Sequence, residues 1–364
     1  MATLRSIGAH LFLLGGSLVA AFLVLELCLR IIYPAPVRFL YPQEIYDFDP
    51  ELGHALRPQQ TAYTHDRVVR INSLGFRGTE ITPQPAPGTL RVLALGDSQT
   101  FGNGLDLSET WPQQLEQLLQ AARGDRWEVV NAGVPGTDTW QHEILLRRLL
   151  PAIHPHAVVL ALYVNDVVPR HDPLSAQAST LTNTWSKRLI YLLKRSSVVT
   201  WAYYLLLPWY DRQFVGDNSV EEAVLSGKSD PRAERGWRQV EHSLTEMKEL
   251  CDARGVGFLV TVLPRRDQVS GHHPGHAYNE RVKKITQTHG IAALDVLPRL
   301  SAEYRVHRDK LFIPWDGHNA ATANHVISTR IAEVLKDFTT VRPTSAGPTT
   351  PPVGRSQDPR GSNR

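Results

Sequence analysis

The stretch Arg91-Val92-Leu93-Ala94-Leu95-Gly96-Asp97-Ser98-Gln99-Thr100 decides how this chain is read. A short apolar run stops abruptly on Gly-Asp-Ser. A buried strand that ends in a tight turn bearing a hydroxyl presents a nucleophile at the edge of a sheet. If Ser98 is that nucleophile, the rest of the chain has to supply a base, an acid to orient the base, and donors for an oxyanion. Candidates for each occur in a consistent order.

A β/α rhythm begins at Leu90. Strand Arg91–Leu95 is followed by a helix near Trp111–Ala122, with Leu115, Leu118 and Leu119 on one face. A strand at Trp127–Asn131, a helix over Trp140–Leu150 and a nearly all-apolar strand at His156–Tyr163 come next. A long helix, Ala233–Arg254, precedes strand Gly257–Leu263. A helix near Asn279–Thr288, a short strand Ala292–Val296 and a final helix from Ala320 to Phe338 complete the series. Apolar strands alternating with amphipathic helices predict an α/β domain, a three-layer α/β/α sandwich around a central parallel sheet of flavodoxin-like type. The domain is expected over residues 90–340, with residues 171–232 inserted between a strand and a helix.

The 364 residues suffice for a substantial core, and a formal net charge of +3 is too close to balance to suggest nucleic acid as a partner. Cys28 and Cys251 stand far apart and form neither a metal-binding spacing nor a disulfide framework. The N-terminus is more telling. From Ile7 to Leu25 the clearly polar residues are His10 and Ser17. About 20 apolar residues span a bilayer core, so residues 1–33 are expected to be an uncleaved transmembrane anchor. A cleaved signal peptide has the same general form, but the apolar run continues through Phe22-Leu23-Val24-Leu25, past any cut at Ala20-Ala21. Leu27 is bulky where a lipoprotein signal ending at Cys28 would want a small residue. Arg5 lies before the segment and Arg30 and Arg38 after it, so charge hardly sets the orientation. The short leading tail makes an extracytoplasmic domain the simpler expectation.

Residues 34–89 are expected to be an irregular extension, broken by Pro34, Pro36, Pro42, Pro50 and Pro58. A strand and turn is predicted at Val68–Gly75. Within the insertion, Trp185–Tyr210 mixes Lys187, Arg188, Lys194 and Arg195 with Trp185, Tyr191, Trp201, Tyr203, Tyr204, Trp209 and Tyr210. That mixture suits a membrane surface or a lid. An inserted helical hairpin packed on the core would have the same composition. The Pro-, Ser- and Thr-rich tail, 341–364, is expected to be disordered.

In a parallel sheet, functional groups gather beyond the carboxyl ends of the strands. Ser98 follows the first strand. Asn131-Ala132-Gly133-Val134-Pro135-Gly136 follows the second and Asn165-Asp166 the third. Asp316-Gly317-His318 precedes the last helix. Each alone reads as an ordinary turn or cap. Their joint occurrence in this order resembles the four blocks of the SGNH (GDSL) hydrolase superfamily, over about residues 90–338. Gly96-Asp97-Ser98, with Thr100 and Gly102, matches the Ser block. Val129–Gly136 resembles the Gly block, whose functional glycine maps to Gly136 rather than Gly133. Tyr163-Val164-Asn165-Asp166 keeps the Asn-Asp pair of the third block and lacks its leading Gly. Asp316 and His318 stand two apart where the family usually has three. Asn72-Ser73-Leu74-Gly75-Phe76-Arg77-Gly78 also looks like a recurring element of membrane-anchored bacterial members, with no mechanism attached.

A serine hydroxyl is a poor nucleophile until a base removes its proton. His318 is the best base, because imidazole titrates near neutral pH. Asp316 would hold the other ring N–H and fix the tautomer. Gly317 permits the kink that the close pair needs. His325 is a rival base, but it falls inside the final helix. Ser98 N–H, Gly136 N–H and the Asn165 amide can converge on an oxyanion. Asp97 is expected to order the Ser98 loop without a chemical role. His272, His273 and His276 cluster without a carboxylate or Cys at ligand spacing, and no phosphate-binding Gly loop is present. The expectation is a serine esterase that needs no metal or nucleotide cofactor. Its partner is an ester substrate, O-acyl or O-acetyl, of glycan or lipid. The same residues would serve an O-acetyltransferase. A lipase lidded by Trp185–Tyr210, or an SGNH-like module kept for binding, are the other readings. The sequence does not set the oligomeric state.

Overall fold

A computed structural model describes residues 2–32, 39–40, 42–123, 126–168, 189, 192–210, 219–273, 275–314 and 316–338. Five strands form one parallel sheet: β5 (Thr89–Leu95), β6 (Arg126–Asn131), β7 (Ala157–Leu162), β8 (Gly257–Val262) and β9 (Ala292–Asp295), in the order β6-β5-β7-β8-β9. Every pairing in it is parallel. Four short strands precede the sheet in the chain. The all-apolar runs of β5 and β7 are explained by burial on both faces. Leu93, Leu95, Val158, Leu160 and Leu162 point into one apolar cluster, where α4 (Thr139–Ile153) and α7 (Pro231–Asp252) supply Leu146, Leu150, Val240, Leu244 and Met247. Val92, Ala94, Val159 and Ala161 point into the other. There they meet Trp111, Leu115 and Leu119 of α3 (Trp111–Arg123) and Ile327 and Ile331 of α11 (Ala321–Phe338). The side-chain period of two thus sends alternate residues of one strand to opposite helical layers.

Three features differ from the expectations. Within the extension expected to be irregular, residues 42–89 carry two hairpins: β1 (Tyr46–Asp49) pairs antiparallel with β2 (Gly53–Leu56), and β3 (Gln60–Thr64) with β4 (Arg67–Ile71). Pro42 precedes β1, and Pro50 and Pro58 stand between strands rather than inside them; Pro34 and Pro36 lie outside the described residues. The second hairpin packs Ala62, Val69 and Ile71, with Leu56, against Phe101 and Val134. The core also resumes earlier than residue 232. Helix α6 (Ser219–Ser226) places Val220, Ala223, Val224 and Leu225 in the first cluster, and α9 (Ala277–Thr288) packs beside it. Finally, α8 (Arg266–Ser270) and α10 (Leu297–His307) were not expected. Pro298 in the first turn of α10 is tolerated, because that N–H has no partner within a helix.

Helix α1 (Ala2–Ile32) contains Gly8–Ile32, 25 residues of mean hydropathy 2.3, long and apolar enough to cross a membrane. Helix α5 (Ser197–Tyr210) packs on it. The Glu26 carboxylate accepts from Ser196 Oγ at 2.7 Å and from the N–H groups of Ser197 and Val198 at 2.9 and 3.0 Å, at the start of α5. Most of 171–196, including Trp185, Lys187, Arg188 and Tyr191, lies outside the described residues, as do 211–218 and the tail.

Candidate active site

Ser98 stands at the end of β5, as the first residue of the short helix α2 (Ser98–Phe101). Asp97 caps this helix: its Oδ1 accepts the Gln99 N–H at 2.9 Å. Gln99, Thr100 and Phe101 are buried, and Thr100 Oγ1 donates to Leu95 O at 3.2 Å. The turn is therefore locked from beneath while Ser98 keeps partial exposure. Asp97 itself is buried. Burial raises its pKa, and the hydrogen bonds from Asn165 and Gln99 only partly offset that.

The loop before α11 brings His318 to this serine. Ile313 N donates to His318 O and Ala320 N to Leu311 O, both at 2.8 Å, closing a narrow loop. Gly317 sits at its tip with φ +85°, a conformation that side chains with a Cβ rarely adopt. Asp316 Oδ1 accepts the backbone N–H of His318 at 3.3 Å and also contacts His318 Nδ1. A two-residue spacing is thus sufficient when the chain turns back through glycine. On the other side of the ring, Ser98 Oγ lies 2.8 Å from His318 Nε2. With Nδ1–H donating to Asp316, Nε2 is free to accept from the Ser98 hydroxyl. Gln99 Oε1 accepts Asn319 N at 3.1 Å and ties the two loops together.

The electrostatics follow from this chain of bonds. Burial of His318 works against its charged form, but the hydrogen bond and charge of Asp316, with the charge of Asp97, outweigh it and raise its pKa above 6.5. Burial of Asp316 acts to raise its pKa. The hydrogen bonds and charges of His318 and His65 prevail and hold it well below the usual carboxylate range.

His65 was not anticipated from the sequence. It occupies the β3–β4 turn at φ +56°, is buried, and places Nε2 2.9 Å from Asp316 Oδ2. A turn histidine within Tyr63-Thr64-His65-Asp66 carries no local signal for such a role. Arg77 belongs to the Asn72–Gly78 motif. Its buried guanidinium donates to Phe101 O, Gly102 O and Leu105 O at 2.8, 2.6 and 2.5 Å, directly behind α2. Asn72 makes that motif rigid: its Oδ1 accepts from Leu74 N and Phe76 N at 3.0 and 2.9 Å.

The expected oxyanion donors lie beyond three neighbouring strands, β6, β5 and β7. Gly136 adopts φ +78°, with His54 the nearest group to where a Cβ would stand; His54 Nε2 lies 2.9 Å from Pro135 O. Gly133 has a different duty. A Cβ there would lie 2.3 Å from Phe101 N, so this glycine lets the β6 loop press against α2. Asn165 donates from Nδ2 to Asp97 Oδ2 at 2.8 Å. One of its two amide protons is thereby committed to the Ser98 loop, and Asp97 is a partner of Asn165 as well as a cap. Tyr163, where the resembled family has glycine, packs against both apolar clusters, and its N–H donates to Asp166 Oδ2 at 2.7 Å.

The remaining histidines are elsewhere. His325 is exposed on α11. His273 Nε2 lies 2.9 Å from Glu222 Oε1, and His272 Nδ1 lies 2.6 Å from Ser270 Oγ. His142 is buried beside Thr137, and burial lowers its pKa to about 3.

A model of the GDSL-like lipase/acylhydrolase family matches residues 94–318. Among solved structures, the chain is similar to the crystal structure of TesA, at 18% identity over 68% of this chain and 99% of that one, with a TM-score of 0.42. It is also similar to a lipase/acylhydrolase from Enterococcus faecalis, at 14% identity over 68% and 96%, TM-score 0.41. A lipolytic protein of the G-D-S-L family from Veillonella parvula DSM 2008 stands at 13% identity over 68% and 98%, TM-score 0.40. No curated protein sequence matches the chain.

Proposed function

Given that this chain belongs to the GDSL-like lipase/acylhydrolase family and is an ester-hydrolysing enzyme, we propose that it works through an acyl group carried on Ser98. His318 Nε2 takes the Ser98 proton as Oγ attacks the ester carbonyl. The N–H groups of Ser98 and Gly136 and the free amide proton of Asn165 receive the oxyanion. His318 then gives its proton to the departing alkoxide, and the ester C–O bond breaks. In the second half, His318 deprotonates a water that attacks acyl-Ser98, then returns that proton to Ser98 Oγ as the acyl–Oγ bond breaks and the acid leaves. Asp316 keeps Nδ1 protonated throughout and stabilises the imidazolium. The observation that carries this reading is the 2.8 Å approach of His318 Nε2 to Ser98 Oγ, with Asp316 on the far nitrogen. A module retained only for binding has no need of that alignment.

The substrate we assign is an O-acyl ester held at a membrane, in a lipid or an envelope glycan, with α1 as anchor and the catalytic domain outside the cytoplasm. Two observations support it. Gly8–Ile32 is long and apolar enough to span a bilayer. Helix α5, which packs on α1, contributes Tyr204 to a small apolar cluster with Leu105 and Ile313, beside the Asp316 loop. The test compares full-length protein with Ser98→Ala, using fluorophosphonate labelling and hydrolysis of acetyl and longer acyl esters, free and embedded in vesicles. Ser98-dependent labelling, with a faster rate on the embedded ester, is expected. Labelling that survives Ser98→Ala defeats the mechanism. Equal rates on free and embedded esters defeat the substrate assignment.

A further inference from the structure

The extension before the sheet touches three of the loops of the candidate site. Through His54 it meets the carbonyl of Pro135, next to Gly136. Through Arg77 it meets three carbonyls at the end of α2. Through His65 it meets Asp316. The first two contacts fall on backbone and hold loops in place. The third falls on a side chain that the proposed reaction depends on.

We propose that His65 is a positioning residue of the reaction, its ring N–H holding the outer oxygen of Asp316 so that the inner oxygen stays on His318. This rests on the reading of Ser98, His318 and Asp316 given above. Asp316 lies in a tight loop between exposed Pro314 and Gly317, and it turns back on His318 only two residues later. A carboxylate so placed can rotate about its Cβ–Cγ bond and lose the His318 ring. His65 prevents that from a rigid direction. Its turn is fixed by the β3–β4 ladder, its N–H donates to Gln43 Oε1 at 2.9 Å, and its ring lies 4.7 Å from the Phe39 ring, centroid to centroid. Gly104 leaves room for it, since a Cβ there would stand 3.3 Å from His65 Nδ1. Among the described residues, Glu44 interacts electrostatically with His65, Tyr204 with Asp316, and Asp97 with His318. An element that looks like a linker therefore becomes part of the catalytic apparatus.

The test uses full-length protein in detergent micelles, with 4-nitrophenyl acetate as substrate. His65→Phe keeps a ring and removes the donor. His65→Gln restores an N–H near the position of Nε2. Misplacement of about 1 Å near the chemistry can cost a hundredfold, so His65→Phe should lower kcat about tenfold or more while KM stays within about twofold. His65→Gln should recover most of the rate. The far-downfield proton resonance of the His318–Asp316 bond should move or vanish in His65→Phe and return in His65→Gln. Wild-type kcat in His65→Phe, or a glutamine variant as slow as the phenylalanine one, overturns the proposal. If His65→Phe does not fold, His65→Gln is compared with the shorter His65→Asn, and equal kcat in the two overturns it. Ser98→Ala separates the levels. If that variant still hydrolyses ester, both readings fall. If it is inactive and His65→Phe is not impaired, only the role of His65 falls.

Discussion

Asn165 Nδ2 and Asp97 Oδ2 are joined by a 2.8 Å hydrogen bond across 68 positions of sequence. The bond ties the loop after β7 to the residue immediately before Ser98. It orients the amide whose second proton is the proposed oxyanion donor. Removing such a donor commonly costs about a hundred- to a thousandfold in kcat. Asn165→Ala is expected to show a loss of that order in steady-state kinetics on a soluble acetyl ester, with KM little changed. Asn165→Asp should do no better, because it sets a second carboxylate against buried Asp97. A loss of only a few-fold would remove Asn165 from the oxyanion site.

Activity and stability should respond to pH in opposite senses around neutrality. In the proposed reaction His318 must be neutral to accept the Ser98 proton, and its pKa is raised above 6.5. The acid limb of kcat/KM should therefore be centred above 6.5, with activity gained as pH rises. For stability the sign reverses. A histidine raised by folding contributes fully below its unfolded value and loses that contribution as pH rises through the folded one. Asp316, held low, contributes above the unfolded carboxylate value, and this is lost only in acid. The difference in Tm between wild type and His318→Gln should thus narrow from pH 6 towards alkaline pH. A difference that widens would contradict the ionised pair.

Arg77 should behave as a structural clamp. Its loss leaves the carbonyls of Phe101, Gly102 and Leu105 without this donor in a buried region. Each hydrogen bond to a charged group contributes about 1.5–3 kcal/mol. Allowing for shared geometry, Arg77→Ala is expected to cost about 3–5 kcal/mol, read by denaturant unfolding. Arg77→Lys should recover little, because a single ammonium cannot follow the planar fork.

The two glycines of the β6 loop should separate cleanly. Gly133→Ala places a Cβ 2.3 Å from the backbone nitrogen of Phe101. Backbone must move, so a loss of roughly 1–3 kcal/mol or more is expected, together with lower activity as α2 shifts. Gly136→Ala meets nothing closer than 3.9 Å but retains φ +78°. Its cost should be about 1–2 kcal/mol, from the left-handed backbone alone. Equal melting temperatures for wild type and Gly133→Ala would refute the packing argument.

Much of the architecture was legible locally. A strand buried on both faces must be apolar at nearly every position, as in Val158-Val159-Leu160-Ala161-Leu162, and a helix covering it must repeat apolar residues at helical spacing. These are properties of neighbouring residues, and so the alternation of strands and helices could be read. The extension was less legible because its strands are short and half-exposed, and proline stands near their ends. The core helix α6 was hidden for a similar reason: its eight residues fall within a stretch of irregular composition.

The parallel α/β order, the apolar N-terminal helix, and the places of Ser98, Gly136, Asn165, Asp316 and His318 relative to strand ends are all written in local sequence. Those follow from hydrophobic periodicity and turn chemistry over a few residues. Only the tertiary structure decided which partners meet: His65 with Asp316 across 251 positions, Asn165 with Asp97, and Arg77 with the end of α2. The physical reason is that a hydrogen bond depends on distance and angle after the chain has closed its loops, and no local spacing records which of many polar side chains will arrive there.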